Sequence, residues 1–434
     1  MMGVFLETGA SSVRVGTLLM SNERMIRFVF DEDYIALGPQ RPILSSSFQA
    51  FAGEDETILR MRNSPDLIGG RQLPPFFDNL LPQGALRELI LSGMPPGHHT
   101  GLDILEWVGE DLPGAVVVRR EQGARQAQVL DLPPETLGGI RFSLAGVQMK
   151  LSMLKMDESL TLPAFGTNGN IIAKLPSQKI PHLPEVEFTS MRLAQSVGVE
   201  VPNFQLVSVD DIDGIPGELL KAGPTALAVD RFDRPAPGRR IHIEDFNQIL
   251  GGYDVEKYSK ANEASVVKIA AKFGGNAAKP FLQAVRRVVV NLLMGNTDAH
   301  LKNWSLWYPE PSVGQLSPAY DIVAYSVYDR SDMMALSFYG TKNSRIIGSE
   351  RFAKAARYAG MAEARVKKEV KRTVEEAADV WPDLLPNLPM PEKYQQYLIE
   401  RVSGLALTQE FNCDFTLTER PTRELGSTQK YITQ

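Results

Sequence analysis

Two carboxylates and an amide are spaced in this sequence as phosphoryl transfer would require. Asp298 and Asn303 lie five residues apart, and Asp321 follows eighteen residues later. Transfer of a phosphoryl group to a hydroxyl needs one carboxylate to receive the proton and oxygen ligands to hold Mg²⁺ on the phosphates. Protein kinases use the spacing Asp-x₄-Asn, followed by a later Asp, for these tasks. The pattern is short and also fits a capped turn, so it needs support from elsewhere in the chain.

A lysine and a glutamate upstream could complete such a site. Lys174 ends an apolar stretch that is predicted to be a strand, where a kinase needs a lysine for the α- and β-phosphates. Glu187 follows thirteen residues later and is predicted to open the helix 186–197, where it would orient Lys174. Taken alone, Lys174 could also be an exposed lysine at the end of a strand, and Glu187 could be a first-turn glutamate that the helix dipole favours. The order of strand lysine, helix glutamate and catalytic loop favours a kinase.

The segment 142–150 precedes Lys174 and ends on a second lysine, Lys150. Its one glycine, Gly146, distinguishes it from both the Walker A loop and the G-x-G-x-x-G loop of protein kinases. It fits a plain strand with a bulge at Gly146 as well as a loop that covers phosphates. Composition alone leaves both interpretations open.

The elements that must position these residues change in character along the chain. Strands are predicted for the first 60 residues, beginning with a hairpin over 4–19, and again over 142–232. Helices are predicted over 84–92 and 101–108 and, after Gly238, over 261–273, 279–294, 349–359, 363–380 and 392–409. Turn-rich joints at 123–134 and 235–238 divide the chain into residues 1–135, 136–235 and 236–434.

Composition excludes several classes of protein. The chain has 434 residues, a net charge of −6 and a pI of about 5.6, which argue against a protein that coats nucleic acid over its whole surface. Its single cysteine, Cys413, excludes an internal disulfide and fits a reducing compartment. The first 20 residues do not read as a signal peptide, and no stretch approaches the roughly 18 apolar residues of a membrane span. We therefore expect a cytoplasmic protein that does not enter a membrane.

Seven segments taken together resemble the HipA family of bacterial toxin kinases. They occur in family order and are Phe76–Pro82, Gly109–Val116, Phe142–Lys150, Ile171–Pro176, Ala228–Arg234, Thr297–Asn303 and Tyr320–Ile322. The resemblance implies an α+β fold, bilobal and similar to that of eukaryotic protein kinases. It implies an extra N-terminal β-rich subdomain (1–135), an N-lobe-like subdomain with phosphate loop and hinge (136–235) and an all-helical C-lobe (236–434).

The resemblance also implies a role for individual residues. Asp298 would be the catalytic base, and Asn303 and Asp321 would hold Mg²⁺. Lys174 would bind ATP phosphates, oriented by Glu187. The other residues implied in ATP binding are Ala145, Gly146, Val147, Gln148, Met149 and Lys150 of a phosphate-covering loop, the hinge residues Asp230, Arg231 and Phe232, and His300, Lys302 and Tyr320.

Three positions qualify this correspondence. The family leads us to expect a glutamate at the hinge, where this chain has Asp230; adenine binds largely through backbone groups there, so the shorter side chain should be tolerated. His300 stands where protein kinases commonly carry a lysine, and we expect it to contact phosphate or the Asp298 loop. Ser143 takes the position of a regulatory autophosphorylation site, where a phosphate would repel nucleotide.

Partners are implied by the resemblance as well. We expect a small helix-turn-helix antitoxin similar to HipB, with which the chain would act as a corepressor on operator DNA. A predicted basic helix could touch operator phosphates, although its charges also fit a solvated face. These basic residues are Arg365, Lys367, Lys368, Lys371 and Arg372. The expected acceptor is a protein such as glutamyl-tRNA synthetase, and no residue reports that choice.

Two other interpretations remain open. A small-molecule or lipid kinase on a related fold would carry the same active-site residues, although the accessory subdomain, residues 1–135, favours the toxin family. A catalytically weak, kinase-like binding protein would not need Lys174, Asp298, Asn303 and Asp321 together, and all four are present.

Overall fold

The computed structural model describes residues 1–9, 11–50, 52–120, 148–156, 159–161, 169–215, 217–273 and 278–418. Within these ranges the chain forms four β-sheets and a predominantly helical C-terminal region. Ser143, Ala145, Gly146 and Val147, which the sequence assigned to regulation and phosphate binding, lie outside the described residues.

The N-terminal region is built on a five-stranded antiparallel sheet. In spatial order its strands are Ile68–Gly70, Ile26–Phe30, Ser12–Met20, Met2–Glu7 and Val116–Arg120. The predicted hairpin is confirmed, with Glu7 opposite Ser12. The helices of this region are Glu32–Ala36, Glu54–Asn63, Pro75–Asp78, Gly84–Gly93 and Gly101–Val108. Its buried side chains form a separate apolar core.

A second sheet of six strands carries both lysines of the predicted site. In spatial order its strands are Ile212–Asp213, Ser159–Thr161, Lys150–Met156, Ile171–Lys174, Thr225–Asp230 and Phe204–Ser208. Lys150 lies directly opposite Lys174 in the antiparallel register, so the two side chains share one face of the sheet. This register therefore places the Lys150 and Lys174 side chains next to each other.

The helix behind this sheet begins three residues earlier than predicted. It spans Leu183–Ser196, with Pro184 in the first turn, where its missing N–H is harmless. Glu187 therefore does not open the helix but lies in its second turn, where it is completely buried. The indole of Trp381 donates to the Leu193 carbonyl over 3.1 Å and ties the helix to the C-terminal region.

The C-terminal region is mainly helical, as expected, but the expectation of an entirely helical lobe needs correction. Its longer helices are Glu263–Phe273, Ala278–Met294, Ser349–Tyr358, Glu363–Leu384, Glu392–Ser403 and Ala406–Glu410. Five strands, His242–Asp245, Ser305–Glu310, Val313–Leu316, Met333–Phe338 and Thr341–Asn343, form two small sheets. The aromatic residues Trp307 and Tyr308 favour a strand over Ser305–Glu310. The predicted helix 392–409 is interrupted at Gly404, before the extended Leu405.

A buried carboxylate joins the N-terminal region to the first of these small sheets. Glu244 accepts hydrogen bonds from the Ser45 hydroxyl and the Ser46 N–H, each over 2.7 Å. The Tyr308 hydroxyl also donates to Glu244, and the His242 ring bonds to the Leu44 carbonyl over 2.8 Å. These contacts fix the N-terminal region close to the strands that flank the predicted catalytic loop.

Among the described residues, the helices are too short or too polar for any of them to span a lipid bilayer.

Candidate active site

The predicted site residues line one large cleft between the three regions of the chain. Its volume is about 1350 Å³. The cleft is lined by Gln148, Lys150, Lys174, Glu187, Asp230, Arg231, Phe232, Asp298, His300, Lys302, Asn303, Tyr320 and Asp321. Met149, which the sequence assigned to ATP binding, is instead buried in the core beneath the six-stranded sheet. The cleft also receives side chains of the N-terminal region, including Gln83 and Trp107.

A cluster of two lysines and two carboxylates occupies one wall of the cleft. The Lys174 ammonium contacts the carboxylates of both Glu187 and Asp321. Lys150 adds a second cation to Asp321, with 2.7 Å between Nζ and Oδ2. Lys174 and Glu187 are almost fully buried, whereas the Lys150 side chain is 41% exposed. Lys150 is therefore the cation of this cluster that can most easily move.

The electrostatics of the cluster keep Asp321 charged. Burial alone would raise the pKa of Asp321, but Lys150 and Lys174 outweigh burial and hold this pKa well below its usual value. Burial would likewise lower the pKa of Lys174, and its pKa is nevertheless raised by Asp321 and Glu187. Burial raises the pKa of Glu187 itself. The result is a permanent carboxylate at Asp321 in contact with a cation that can move.

The backbone at Asp321 has an uncommon conformation. Its φ of 54° lies in the left-handed region, which aspartate and asparagine enter more readily than other side chains. The Asn296 amide donates to the Asp321 carbonyl over 3.3 Å. Such outliers often occur at functional sites, where the surrounding structure holds them.

The predicted catalytic loop closes on itself through Asn303. The Asn303 amide donates to the Asp298 carbonyl over 2.9 Å, and the His300 N–H donates to the same oxygen over 2.7 Å. The side-chain amide of Asn303 thus uses its N–H, which leaves its oxygen available as a metal ligand. Asp298 is half-buried, and its Oδ1 accepts a hydrogen bond from the Tyr258 hydroxyl over 2.5 Å.

The His300 ring contacts Tyr258, and contact of this side chain with phosphate or with the Asp298 loop stays a prediction. Its ring is nearly buried and meets Tyr258 edge-on, with 5.0 Å between ring centroids. Burial lowers the pKa of His300 to about 4, so the imidazole is neutral at pH 7. A neutral ring does not supply the positive charge of the lysine that protein kinases carry at this position.

Lys302 and Tyr320 line the cleft, but their polar groups are already paired with protein groups. The Lys302 ammonium lies 3.2 Å from the Asn79 carbonyl and 3.5 Å from Asp254. The Tyr320 hydroxyl contacts the Ser305 hydroxyl and donates to the Lys302 carbonyl over 3.0 Å. Both side chains therefore support the loop in this structure, and ATP binding by them stays a prediction.

The backbone N–H groups of Asp230 and Arg231 in the predicted hinge are hydrogen-bonded to other parts of the protein. The Asp230 N–H donates to the Asn203 carbonyl, and the Arg231 N–H donates to that of Asn170, each over 2.9 Å. The Arg231 guanidinium is held by Asp233 and by the Ser152 hydroxyl at 2.9 Å. Phe232 packs against Trp307 and Tyr320. Apolar packing by Phe232 is therefore the feature of the hinge that best suits an adenine ring.

The predicted basic surface lies on the helix Glu363–Leu384, away from these cleft residues. Arg365, Lys367, Lys368 and Lys371 are exposed. Arg372 is paired with Glu369 at 2.7 Å and Glu376 at 2.8 Å, which makes it the least available of the five.

Tyr258, the described residue that bonds to the Asp298 carboxylate, was not among the predicted site residues. It lies forty residues before Asp298, in a loop after the short helix Asp254–Glu256. Neither hydrophobic periodicity nor a known spacing links Tyr258 to Asp298. The only signal in the sequence is an aromatic residue, Tyr258, next to Lys257 in a mostly polar segment.

Comparison with known proteins gives matches over most of the chain. Sequence-family models match at residues 6–119 (HipA N-terminal domain) and 142–381 (HipA-like C-terminal domain). The candidate kinase Y4dM of Sinorhizobium fredii is 37% identical over 412 residues, which cover 92% of this chain and 96% of that protein. The serine/threonine-protein kinase toxin HipA of Shewanella oneidensis is 25% identical over 293 residues, 59% of this chain and 64% of that protein.

The fold also matches a solved structure. HipA in the complex of Shewanella oneidensis HipA, HipB and operator DNA superposes with a TM-score of 0.71 at 20% identity, covering 95% of this chain and 99% of that chain. This chain belongs to the HipA family.

Proposed function

We propose that this chain is a Mg²⁺- and ATP-dependent serine/threonine protein kinase that acts as the toxin of a toxin–antitoxin module. The observation that carries the proposal is the convergence of five residues on one cleft. Lys174, Glu187 and Asp321 form its charged wall, and Asp298 and Asn303 form the loop beside it. The kinase names of Y4dM and of Shewanella HipA support the same activity.

The donor groups at the cleft fit Mg²⁺ bound together with a nucleotide. Asp321 supplies a charged carboxylate and Asn303 an amide oxygen, both hard oxygen ligands. Among the described residues no group of three or more His, Cys, Asp or Glu could hold a metal ion. A metal at this site would therefore take its remaining ligands from phosphate and water. When bound, Mg²⁺ would neutralise charge on the phosphates.

The protein's own residues would divide the remaining tasks. Lys174 is fixed by two carboxylates and would hold phosphate oxygens, whereas the more exposed Lys150 would leave Asp321 and follow the phosphates. Asp298 would accept the proton of the acceptor hydroxyl as the new oxygen–phosphorus bond forms, while the bond between the γ-phosphorus and the β–γ bridging oxygen of ATP breaks and ADP leaves. Gln148 and Phe232 line the cleft where the base and ribose could lie.

The biological setting belongs to the same proposal. A HipB-like antitoxin would bind the chain, and the exposed lysines of Glu363–Leu384 would touch operator phosphates in that complex, where the chain is a corepressor. The acceptor would be a translation factor such as glutamyl-tRNA synthetase in the cytoplasm. Autophosphorylation at Ser143 would switch the kinase off through charge repulsion in the phosphate-covering loop.

Labelled ATP tests the proposal directly. The purified chain is incubated with γ-labelled ATP, Mg²⁺ and a bacterial lysate, and labelled proteins, lipids and small molecules are separated and identified. We expect label on serine or threonine of one or a few proteins, and on Ser143 of the chain itself. Label found only on lipids or small molecules would reject the protein-kinase proposal in favour of a lipid or small-molecule kinase. No label above that of the Asp298→Asn variant would reject kinase activity.

A further inference from the structure

The segment Tyr253–Lys260 lies against the catalytic loop although forty residues separate Tyr258 from Asp298. The Leu301 N–H donates to the Lys257 carbonyl over 3.2 Å and ties the two segments together. Beside this bond the Tyr258 hydroxyl donates to Asp298 Oδ1, and its ring packs edge-on against His300. Tyr258 thus makes one polar and one apolar contact with the same loop.

The accessory N-terminal region holds this segment in place. The Gln83 amide donates to Asp254 over 2.6 Å, and the Asn79 amide donates to the Gly252 carbonyl over 2.7 Å. The Asn247 amide adds a bond of 2.8 Å to the Tyr253 carbonyl. Gln83 therefore reaches the segment, and Asn79 reaches the residue immediately before it, from outside the lobe that carries both.

The bond from Tyr258 settles the orientation of the Asp298 carboxylate. The last torsion of an aspartate side chain has a broad energy profile, so an unbonded carboxylate rotates easily. Among the described residues Tyr258 is the group that donates to this carboxylate, and it engages Oδ1 alone. Burial raises the pKa of Tyr258, and the Asp298 carboxylate raises it further, so the phenol stays protonated and can donate a hydrogen bond. Oδ2 is then left to face an acceptor hydroxyl.

We propose that Tyr258 is a positioning residue for Asp298, and that the accessory N-terminal region takes part in phosphoryl transfer by holding Tyr258 there. The inference rests on the proposed kinase function. It assigns the accessory region a role within the active site, through Asn79, Gln83 and the segment Tyr253–Lys260, in addition to any contact with a partner.

Removing only the hydroxyl tests the proposal. In Tyr258→Phe the ring can still pack on His300, but Asp298 loses its donor. We expect kcat for ATP hydrolysis and for transfer to the labelled acceptor to fall by about tenfold, because a hydrogen bond to a charged group is lost. The Kd for Mg²⁺-ADP and the melting temperature should stay at wild-type values. Tyr258→Ala should lower kcat at least as far as Tyr258→Phe.

Two further variants separate positioning from packing. Tyr358→Phe makes the same chemical change at an exposed tyrosine on the helix Ser349–Tyr358 and should leave kcat unchanged. Gln83→Ala removes the bond to Asp254 and should lower kcat in the same direction by a smaller factor.

The outcomes are distinct. A Tyr258→Phe variant with wild-type kcat would show that only the ring matters, and a faster variant would show that the hydroxyl obstructs the base; either result overturns the inference. So would a loss of rate that follows from weaker nucleotide binding. A wild-type protein without any phosphoryl transfer would instead overturn the proposed function, and the inference with it.

Discussion

Asp321 and Asp298 lie in the same cleft in opposite electrostatic surroundings. Asp321 contacts two ammonium groups, which hold its pKa well below the usual value in spite of burial. The Asp298 carboxylate instead receives one hydrogen bond from a neutral phenol. A carboxylate that must stay charged suits a metal ligand, whereas one held by a neutral donor can take up a proton. The difference supports the separate roles that we propose for the two residues.

A third carboxylate separates the effect of burial from that of charge. Glu244 is fully buried, whereas the Asp321 side chain is 20% exposed, and the partners of Glu244 are hydroxyls and an N–H. Burial raises the pKa of Glu244 to about 7, and its hydrogen bonds only partly offset this rise. Contact with lysine therefore outweighs burial at Asp321, whereas burial has the larger effect on the pKa of Glu244, which has no lysine partner among the described residues.

The largest effect is expected from removing the charge of Asp321. Asp321→Asn is the appropriate change, because asparagine adopts the left-handed backbone at this position more readily than alanine does. We expect kcat/KM to fall by at least about 10³-fold, since metal binding contributes several kcal/mol to such transition states. Nucleotide affinity should lose its dependence on Mg²⁺, as measured by titration with and without EDTA. Affinity that still rises with Mg²⁺ would remove Asp321 from the metal site.

A moderate effect is expected at Glu244 and depends on pH. Its pKa is raised in the folded protein, so folding binds a proton between about pH 4.5 and 7 and the free energy of unfolding falls as pH rises through that window. Glu244→Gln mimics the protonated acid and should remove this slope. We expect the variant to match wild type near pH 5 and to be more stable by about 1–3 kcal/mol at pH 8. Urea unfolding at the two pH values measures this, and equal slopes for both proteins would contradict the raised pKa.

The smallest effect is expected from charge reversal on the basic helix, and it should change DNA binding without changing catalysis in the cleft. Replacing Lys367, Lys368 and Lys371 with glutamate should weaken DNA binding by the complex with the antitoxin. The slope of log K against log salt should become shallower by about 0.9 for each lysine that neutralises a phosphate in the wild-type complex. ATP hydrolysis should stay at the wild-type rate. An unchanged salt slope would indicate that these lysines form only a solvated surface.

Local patterns predicted the site residues that are close in sequence. The spacing of Asp298, Asn303 and Asp321 and the order of Lys174 and Glu187 identified groups that the fold brings to one cleft. The contact between Lys150 and Asp321 could not be predicted in this way, because it depends on the strand register that places Lys150 beside Lys174.

The other features that the sequence did not predict also depend on contacts between residues that are distant in the chain. Tyr258 reaches Asp298 through a loop that is anchored by a distant region of the chain, a contact that no periodicity encodes. The strands inside the helical region are short and depend on pairing with each other. The fold class and most of the longer helices could be predicted because hydrophobic periodicity is a local property, with errors of a few residues at their ends. The helices Glu32–Ala36 and Glu54–Asn63 were missed, because strands were predicted for the first 60 residues.

The central claim, that Asp298 takes the proton while Asp321 serves the metal, is tested most directly by single-turnover transfer from preformed Mg²⁺-ATP complexes. Asp298→Asn and the wild-type protein are loaded to the same measured occupancy, and the transfer of labelled phosphate is followed over time. We expect equal nucleotide affinity and a rate about 10²- to 10⁴-fold lower for the variant. A variant that transfers phosphate at the wild-type rate with nucleotide fully bound would contradict the assignment of the base.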